Sequence, residues 1–373
     1  MRIIKTILSA AAAAVLLLTA GCGEIEFPFD TGSSGVHGSS EPESREKMTA
    51  EELSEVIYAS LSSFSNTVDV GERLEMETVR HAMQLLDHSH PEIFWTDGYT
   101  LTTGSRDSTI EFDILRDCSA GAIQAMYSEL TSAADRVIGS MPEYMTDYER
   151  VLYVHDTIIN STSYSYTGAE SSANGLWGTA YGCLVNGSAV CQGYSEAFLY
   201  IMNRLGMESG VCTGVTADGR HAWNYVNVAG EYYWIDLTWD DPDMASPDGG
   251  IQTADSLRHT YFLMDDRLML RTREPDNDQL FIPECSSMAA NYFVRTGCYF
   301  DSYSLSELGW AMLQNAGDDR EISVMYSDWE PYQTAVASLF EGEEIWDVSE
   351  YVWLSDNISY STDDLMYVIT IQY

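Results

Sequence analysis

Residues 187–195 read GSAVCQGYS, and the reading of Cys191 within them decides the fold. Tyr194, Phe198, Ile201 and Leu205 follow at spacings of four, three and four, which stacks them on one helical face. Gly206 with Arg204 before it supplies a stop signal. The helix therefore begins near Cys191. A thiol there meets unpaired backbone N–H groups and the positive end of the helix dipole, both of which favour thiolate over thiol. The small neighbours Gly187, Ser188, Ala189 and Gly193 let a substrate or another backbone approach.

A thiolate of this kind needs a proton partner, and the next stretch offers one. SGVCTGVT (209–216), a turn at Asp218-Gly219, HAWNYVNV (221–228), a second turn at Ala229-Gly230 and YYWIDLTW (232–239) read as a three-stranded antiparallel meander. With a two-residue loop at 229–230, Trp223 stands opposite Asp236 and His221 opposite Thr238. His221 and Asp236 then share a face as diagonal neighbours, about 7–8 Å apart between backbones, a gap their side chains can close. Ala222, Val226, Ile235 and Leu237 form the other, apolar face. Cys191, His221 and Asp236 thus have the residue types of a nucleophile, its base and the carboxylate that orients the base. Gln192 and Tyr194, which flank the thiol, are candidates for the wall of an acyl pocket. The Cys191 N–H is a natural oxyanion donor, and a second donor is required.

The blocks GSAVCQGYSEAF, GRHAWNYV and YYWIDLTWDDP, in that order, resemble the transglutaminase-like superfamily, in the bacterial branch of transglutaminase- or protease-like domains. The resemblance covers residues 147–242 and more loosely continues through YFLMDD and CSSMAANYF to about 302. It implies an α+β, papain-like core in which the cysteine helix packs on an antiparallel sheet, with catalytic roles for Cys191, His221 and Asp236. It implies peptide or side-chain amide chemistry through a thioester, with no cofactor called for. Hydrolysis is expected over cross-linking, because no acceptor site for an amine is visible. The competing reading is a non-catalytic envelope-binding or structural module that keeps the fold.

The rest of the chain sets the context. At 373 residues, 45% hydrophobic and 12% aromatic, it can build a sizeable core. Residues 1–22 read as an export signal, with Arg2 and Lys5 ahead of an apolar run. Their ending, LTAGC, resembles a bacterial lipoprotein signal with Cys22 as the lipidated residue, although Thr19 stands where that pattern prefers Leu. An ordinary cleaved signal is the alternative. Residues 23–47 read as a flexible linker, 48–140 as an N-terminal α/β region, 141–303 as the catalytic domain and 304–373 as a small C-terminal α/β domain. The expected place is extracytoplasmic, held to the membrane by the lipid anchor alone, with a peptide or protein substrate at the cell envelope. The formal charge of −40 disfavours nucleic acid and anionic lipid surfaces as partners.

Several other groups read as structural. Cys118, Cys183, Cys212, Cys285 and Cys298 allow at most two disulfides, and Cys191 is expected to stay free. His88 and His90 lack a ligand set for a metal, and Asp240, Asp241, Asp243 and Asp248 lack EF-hand spacing. His155 reads as structural, and no metal site is expected.

Overall fold

The computed structural model describes residues 2–5, 47–115, 118–170, 175–242, 257–315, 317 and 320–373. Most of the expected leader and nearly all of the linker, Cys22 included, lie outside the described residues. So do Asp243 and Asp248. Strand β1 (Arg2–Lys5) runs parallel to residues 357–360 at the edge of the C-terminal sheet.

In the N-terminal region α1 (Ala50–Ser62) starts at a capping box of Thr49 and Glu52. Then come β2 (Thr67–Val70), α2 (Met76–Ser89), β3 (Thr96–Thr103) and β4 (Ser108–Ile114), with the strands paired antiparallel in the order β2-β4-β3. Helices α3 (Ala120–Gly139) and α4 (Asp147–Ser161) lead inward, the second from a capping box of Thr146 and Glu149. Next are β5 (Ser163–Tyr164), α5 (Tyr166–Glu170), α6 (Ala180–Leu184), β6 (Ser188–Ala189) and the cysteine helix α7 (Cys191–Leu205). Gly206 ends α7 at φ 69°, the left-handed conformation glycine adopts without cost.

The meander follows as β7 (Ser209–Thr216), β8 (Gly219–Val228) and β9 (Glu231–Ile235). Val228 pairs with Glu231, so Ala229 (φ 55°) and Gly230 (φ 94°) form the two-residue turn with positive φ at both positions. The first turn differs from the sequence reading: Thr216 pairs with Gly219, so its loop is Ala217-Asp218, one residue early. The third strand is also shorter than expected. It stops at Ile235 because the Asp236 carboxylate takes the backbone N–H groups of Thr238 and Trp239, starting α8 (Leu237–Asp240).

Beyond it lie α9 (Asp266–Met269) and β10 (Arg273–Pro275), a fourth strand that pairs antiparallel with β7 and makes the sheet order β10-β7-β8-β9. Then α10 (Tyr292–Thr296), β11 (Tyr299–Phe300), α11 (Leu305–Gln314), β12 (Glu321–Tyr326), α12 (Trp329–Val336), β13 (Asn357–Asp363) and β14 (Val368–Gln372) complete the chain. The C-terminal sheet takes in Tyr299–Phe300, which lie ahead of the expected boundary at 304.

The four-stranded sheet is a shared layer. Val226, Val228, Tyr233 and Ile235 on one face join a core with α1, α4 and α7. Trp223, Tyr225 and Trp234 on the other join the core of the C-terminal unit, with Val324, Ile369 and Ile371. Burial on both faces is why the strands lack a polar side. Buried Asn224 fixes α7 to the sheet, donating from Nδ2 to the carbonyls of Ser195 (3.0 Å) and Gly210 (3.2 Å). The result is α+β, with the cysteine helix packed on an antiparallel sheet.

Candidate active site

Cys191 is the first residue of α7, and the residue before it offers no side-chain cap. Thr49, Ser119 and Thr146 each cap the helix they precede through a side-chain oxygen, whereas Val190 makes no side-chain cap. The first intrahelical donor is the Tyr194 N–H, to Val190 O, so the N–H groups of residues 191–193 are left for another acceptor. A short turn at Leu176–Gly178 crosses this end, its Trp177 carbonyl accepting the Val190 N–H at 2.9 Å. Gly193 makes that approach possible: a Cβ there would stand 2.2 Å from the Trp177 carbonyl oxygen.

His221 faces this helix tip from β8. Its Nε2 lies 2.7 Å from Asp236 Oδ2, and the Cys191 thiol is close enough for the two groups to shift each other's pKa, which leaves Nδ1 as the nitrogen for sulfur. The sheet register makes the pairing. β8 and β9 pair so that 224 faces 235, which carries Asp236 to the level of Trp223 and onto the side of His221. His221 stacks on Trp223 at 5.9 Å and meets Trp239 at 5.9 Å, so the ring is held on both sides.

Burial disfavours the Cys191 thiolate and is the largest single influence on it. The hydrogen bond and charge of His221, with the Ala222 N–H, outweigh burial and hold the thiol below its ordinary value. Burial likewise works against a charged His221, but the Asp236 carboxylate and Cys191 overcome it and raise the imidazole to about 9. Asp236 is fully buried, which would raise its pKa. His221 and Arg273 together drive it well below the usual carboxylate range instead.

Arg273 is the functional residue that sequence reading missed. Its side chain is fully buried, and it donates to Asp236 Oδ2 from Nε at 3.1 Å and from Nη2. Its guanidinium lies between the rings of Trp239 (4.4 Å) and Tyr261 (4.3 Å). Asp236 therefore has two tasks. Oδ1 caps α8, and Oδ2 is shared by the imidazole and the guanidinium.

The two expected pocket residues diverge. Gln192 is half-buried at the helix tip and donates to Glu196 Oε1 at 2.5 Å. Tyr194 is fully buried, with its hydroxyl donating to Asp241 Oδ2 at 2.5 Å, so it does not form a pocket wall. Its place on the apolar stripe of α7 turns it into the core. All six described cysteines are free thiols; Cys183 and Cys212 are raised by burial to about 12, unlike Cys191. Tyr164 pairs with Ala189 across β5 and β6, and Tyr166 packs edge-on against it at 5.0 Å, giving this end of the domain an aromatic flank.

A hollow of about 750 Å³ lies elsewhere. It is lined by Tyr58, His88, His90, Tyr200 and Arg204, at the far end of α7, and no triad residue reaches it. His88 and His90 do not converge: His88 contacts the Tyr225 hydroxyl and His90 contacts Glu92.

Residues 134–238 match the model of the transglutaminase-like superfamily. Comparison with curated proteins gives no significant match. Among solved structures, the chain is similar to a TGase (14% identity, TM-score 0.28, covering 54% of this chain and 55% of that one). It is also similar to a candidate cysteine protease from Cytophaga hutchinsonii (13% identity, TM-score 0.25, 39% and 63%). A third is a candidate protease from Parabacteroides distasonis (11% identity, TM-score 0.21, 38% and 36%). The chain spans less than two thirds of the length of each.

Proposed function

With a transglutaminase-like domain at residues 134–238 as the premise, we propose that the protein is a cysteine enzyme that cleaves peptide or side-chain amide bonds through a thioester. The observation that carries this reading is the His221–Asp236 pair at 2.7 Å beside a Cys191 thiol whose pKa His221 lowers. His221 takes the Sγ proton, and the thiolate adds to the amide carbon. As the C–N bond breaks, the imidazolium returns the proton to the leaving amine. Water then attacks the thioester with His221 as base, releasing the acid and regenerating the thiol. The Cys191 N–H is positioned as one oxyanion donor. Asp236 keeps its charge throughout, oriented by the α8 backbone and by Arg273.

The substrate is a peptide or protein at the cell envelope, reached by an exported chain that Cys22 anchors by lipid. The apolar leader and the Gly/Ser-rich residues after it support that placement. No helix among the described residues is long and apolar enough to cross a membrane.

The test is incubation with envelope peptides, with and without a primary amine, followed by mass spectrometry. Hydrolysed products, absent with Cys191→Ala, support the reading. Amine-coupled products would replace hydrolysis by transfer. No Cys191-dependent product in either arm would leave the binding-module reading standing.

A further inference from the structure

A second cluster of titratable groups lies behind the triad. His155 and Asp156 on α4 meet His259, 103 residues beyond Asp156. Asp156 Oδ1 is 2.9 Å from His155 Nδ1 and 2.9 Å from His259 Nε2, and the three atoms all lie within 4.8 Å of one another. The other nitrogen of His155 is already committed: Nε2 faces Asp240 Oδ2 at 3.2 Å, with both side chains fully buried.

The geometry suits a divalent cation: His155 Nδ1, Asp156 Oδ1 and His259 Nε2 lie together, and His155 keeps its other nitrogen, Nε2, for Asp240. A histidine that ligates through one nitrogen and donates the other to a carboxylate is the usual outer-shell arrangement at metal sites.

We propose that His155, Asp156 and His259 bind a divalent transition-metal ion of the zinc type, with Asp240 holding His155 and water in the fourth position. Two imidazoles and one carboxylate suit zinc, whereas calcium and magnesium take oxygen ligands. Ligand atoms of a tetrahedral zinc stand about 3.3 Å apart, so each 2.9 Å contact has to open by only a few tenths of an ångström. Asp156 is 31% exposed and His259 11%, which leaves an entry route. Tyr292 stacks on His259 at 4.0 Å, and Phe262 meets both imidazoles edge-on, holding the rings in place. The ion would pin residue 259 to α4. It would also brace the layer behind the triad, because Asp240 accepts the Tyr261 N–H and the Tyr261 ring lies on Arg273.

The test uses the full chain, stripped by chelator and titrated with zinc by calorimetry and with cobalt by visible absorption. The expected result is one equivalent of zinc, four-coordinate cobalt bands and a raised melting temperature. His259→Ala and Asp156→Asn should weaken binding at least about a hundredfold, and Asp240→Asn about 10- to 100-fold. His81→Ala should bind like wild type. Circular dichroism identifies a variant that fails to fold, and partly exposed His259 is the safest of the sites to change. No saturable binding by wild type, or binding that survives in folded His259→Ala, overturns the proposal. Metal uptake is read without substrate, so this outcome is independent of whether Cys191 is a nucleophile.

Discussion

His221 and His155 are both buried, both contact a buried aspartate, and both are raised to about 9. Their other neighbours separate them. His221 has a thiol at the uncapped start of a fifteen-residue helix, while His155 has a second carboxylate and lies close to another imidazole. A buried histidine with a perturbed pKa is therefore no sign of catalysis by itself. What it can do depends on the group across from it: a proton acceptor is useful beside sulfur, and a pair of lone pairs is useful beside a cation.

The contrast breaks most sharply at the sulfur. Cys191→Ala should reduce amide turnover by about 10⁴-fold or more, with binding of substrate retained, as measured by steady-state kinetics and by calorimetry. Asp156→Asn, at the other histidine, should leave a measurable fraction of turnover because it touches no reacting atom.

On the triad side, Arg273→Met tests the sharing of Asp236 between the imidazole and the guanidinium. Removing one partner of a buried pair should cost about 3–5 kcal/mol in urea unfolding. It should also move the alkaline limb of the pH–rate profile upward, because Asp236 then turns its whole charge on His221. Loss of stability with an unmoved limb would contradict that sharing.

The pH dependence has a defined sign. His221 stands near 9 when folded, against about 6.5 in the unfolded chain. Its contribution to stability is full below pH 6.5 and is lost as pH rises through 9. Asp236 is depressed, so its contribution is present above about pH 4 and lost on acidification. Urea midpoints should therefore fall between pH 6.5 and 9, by less in His221→Ala. Turnover should fall through the same alkaline range as the imidazolium is lost.

The smallest effect is expected at Tyr194. Tyr194→Phe should cost about 1.5–3 kcal/mol by removing a buried hydroxyl donor to Asp241, with KM unchanged. A raised KM at unchanged stability would restore Tyr194 to the pocket.

Local periodicity made much of this legible in the sequence. The stripe of α7, the stop at Gly206 and the Ala229-Gly230 turn are short-range signals, and together they place Cys191, His221 and Asp236. The same stripe should have excluded Tyr194 from a pocket, since a residue on the buried face is directed into the core. Arg273 was hidden for a physical reason. It lies 37 residues beyond Asp236 on a three-residue strand, too short to show any period, and only the pairing of β10 with β7 brings it back. His259 lies in no helix or strand and meets Asp156 across 103 residues, so no period marks it, and β13 went unread because its alternation, NISYSTD, is mostly polar.

That His221 activates Cys191 is tested by alkylation. Iodoacetamide labelling of the Cys191 peptide is followed by mass spectrometry from pH 5 to 9, in wild type and in His221→Ala, with the Cys183 and Cys212 peptides as inert internal references. Wild type should label rapidly even at mildly acidic pH, and the variant should shift toward an ordinary thiol of pKa about 8.5. Superimposable profiles from the two proteins would contradict the claim.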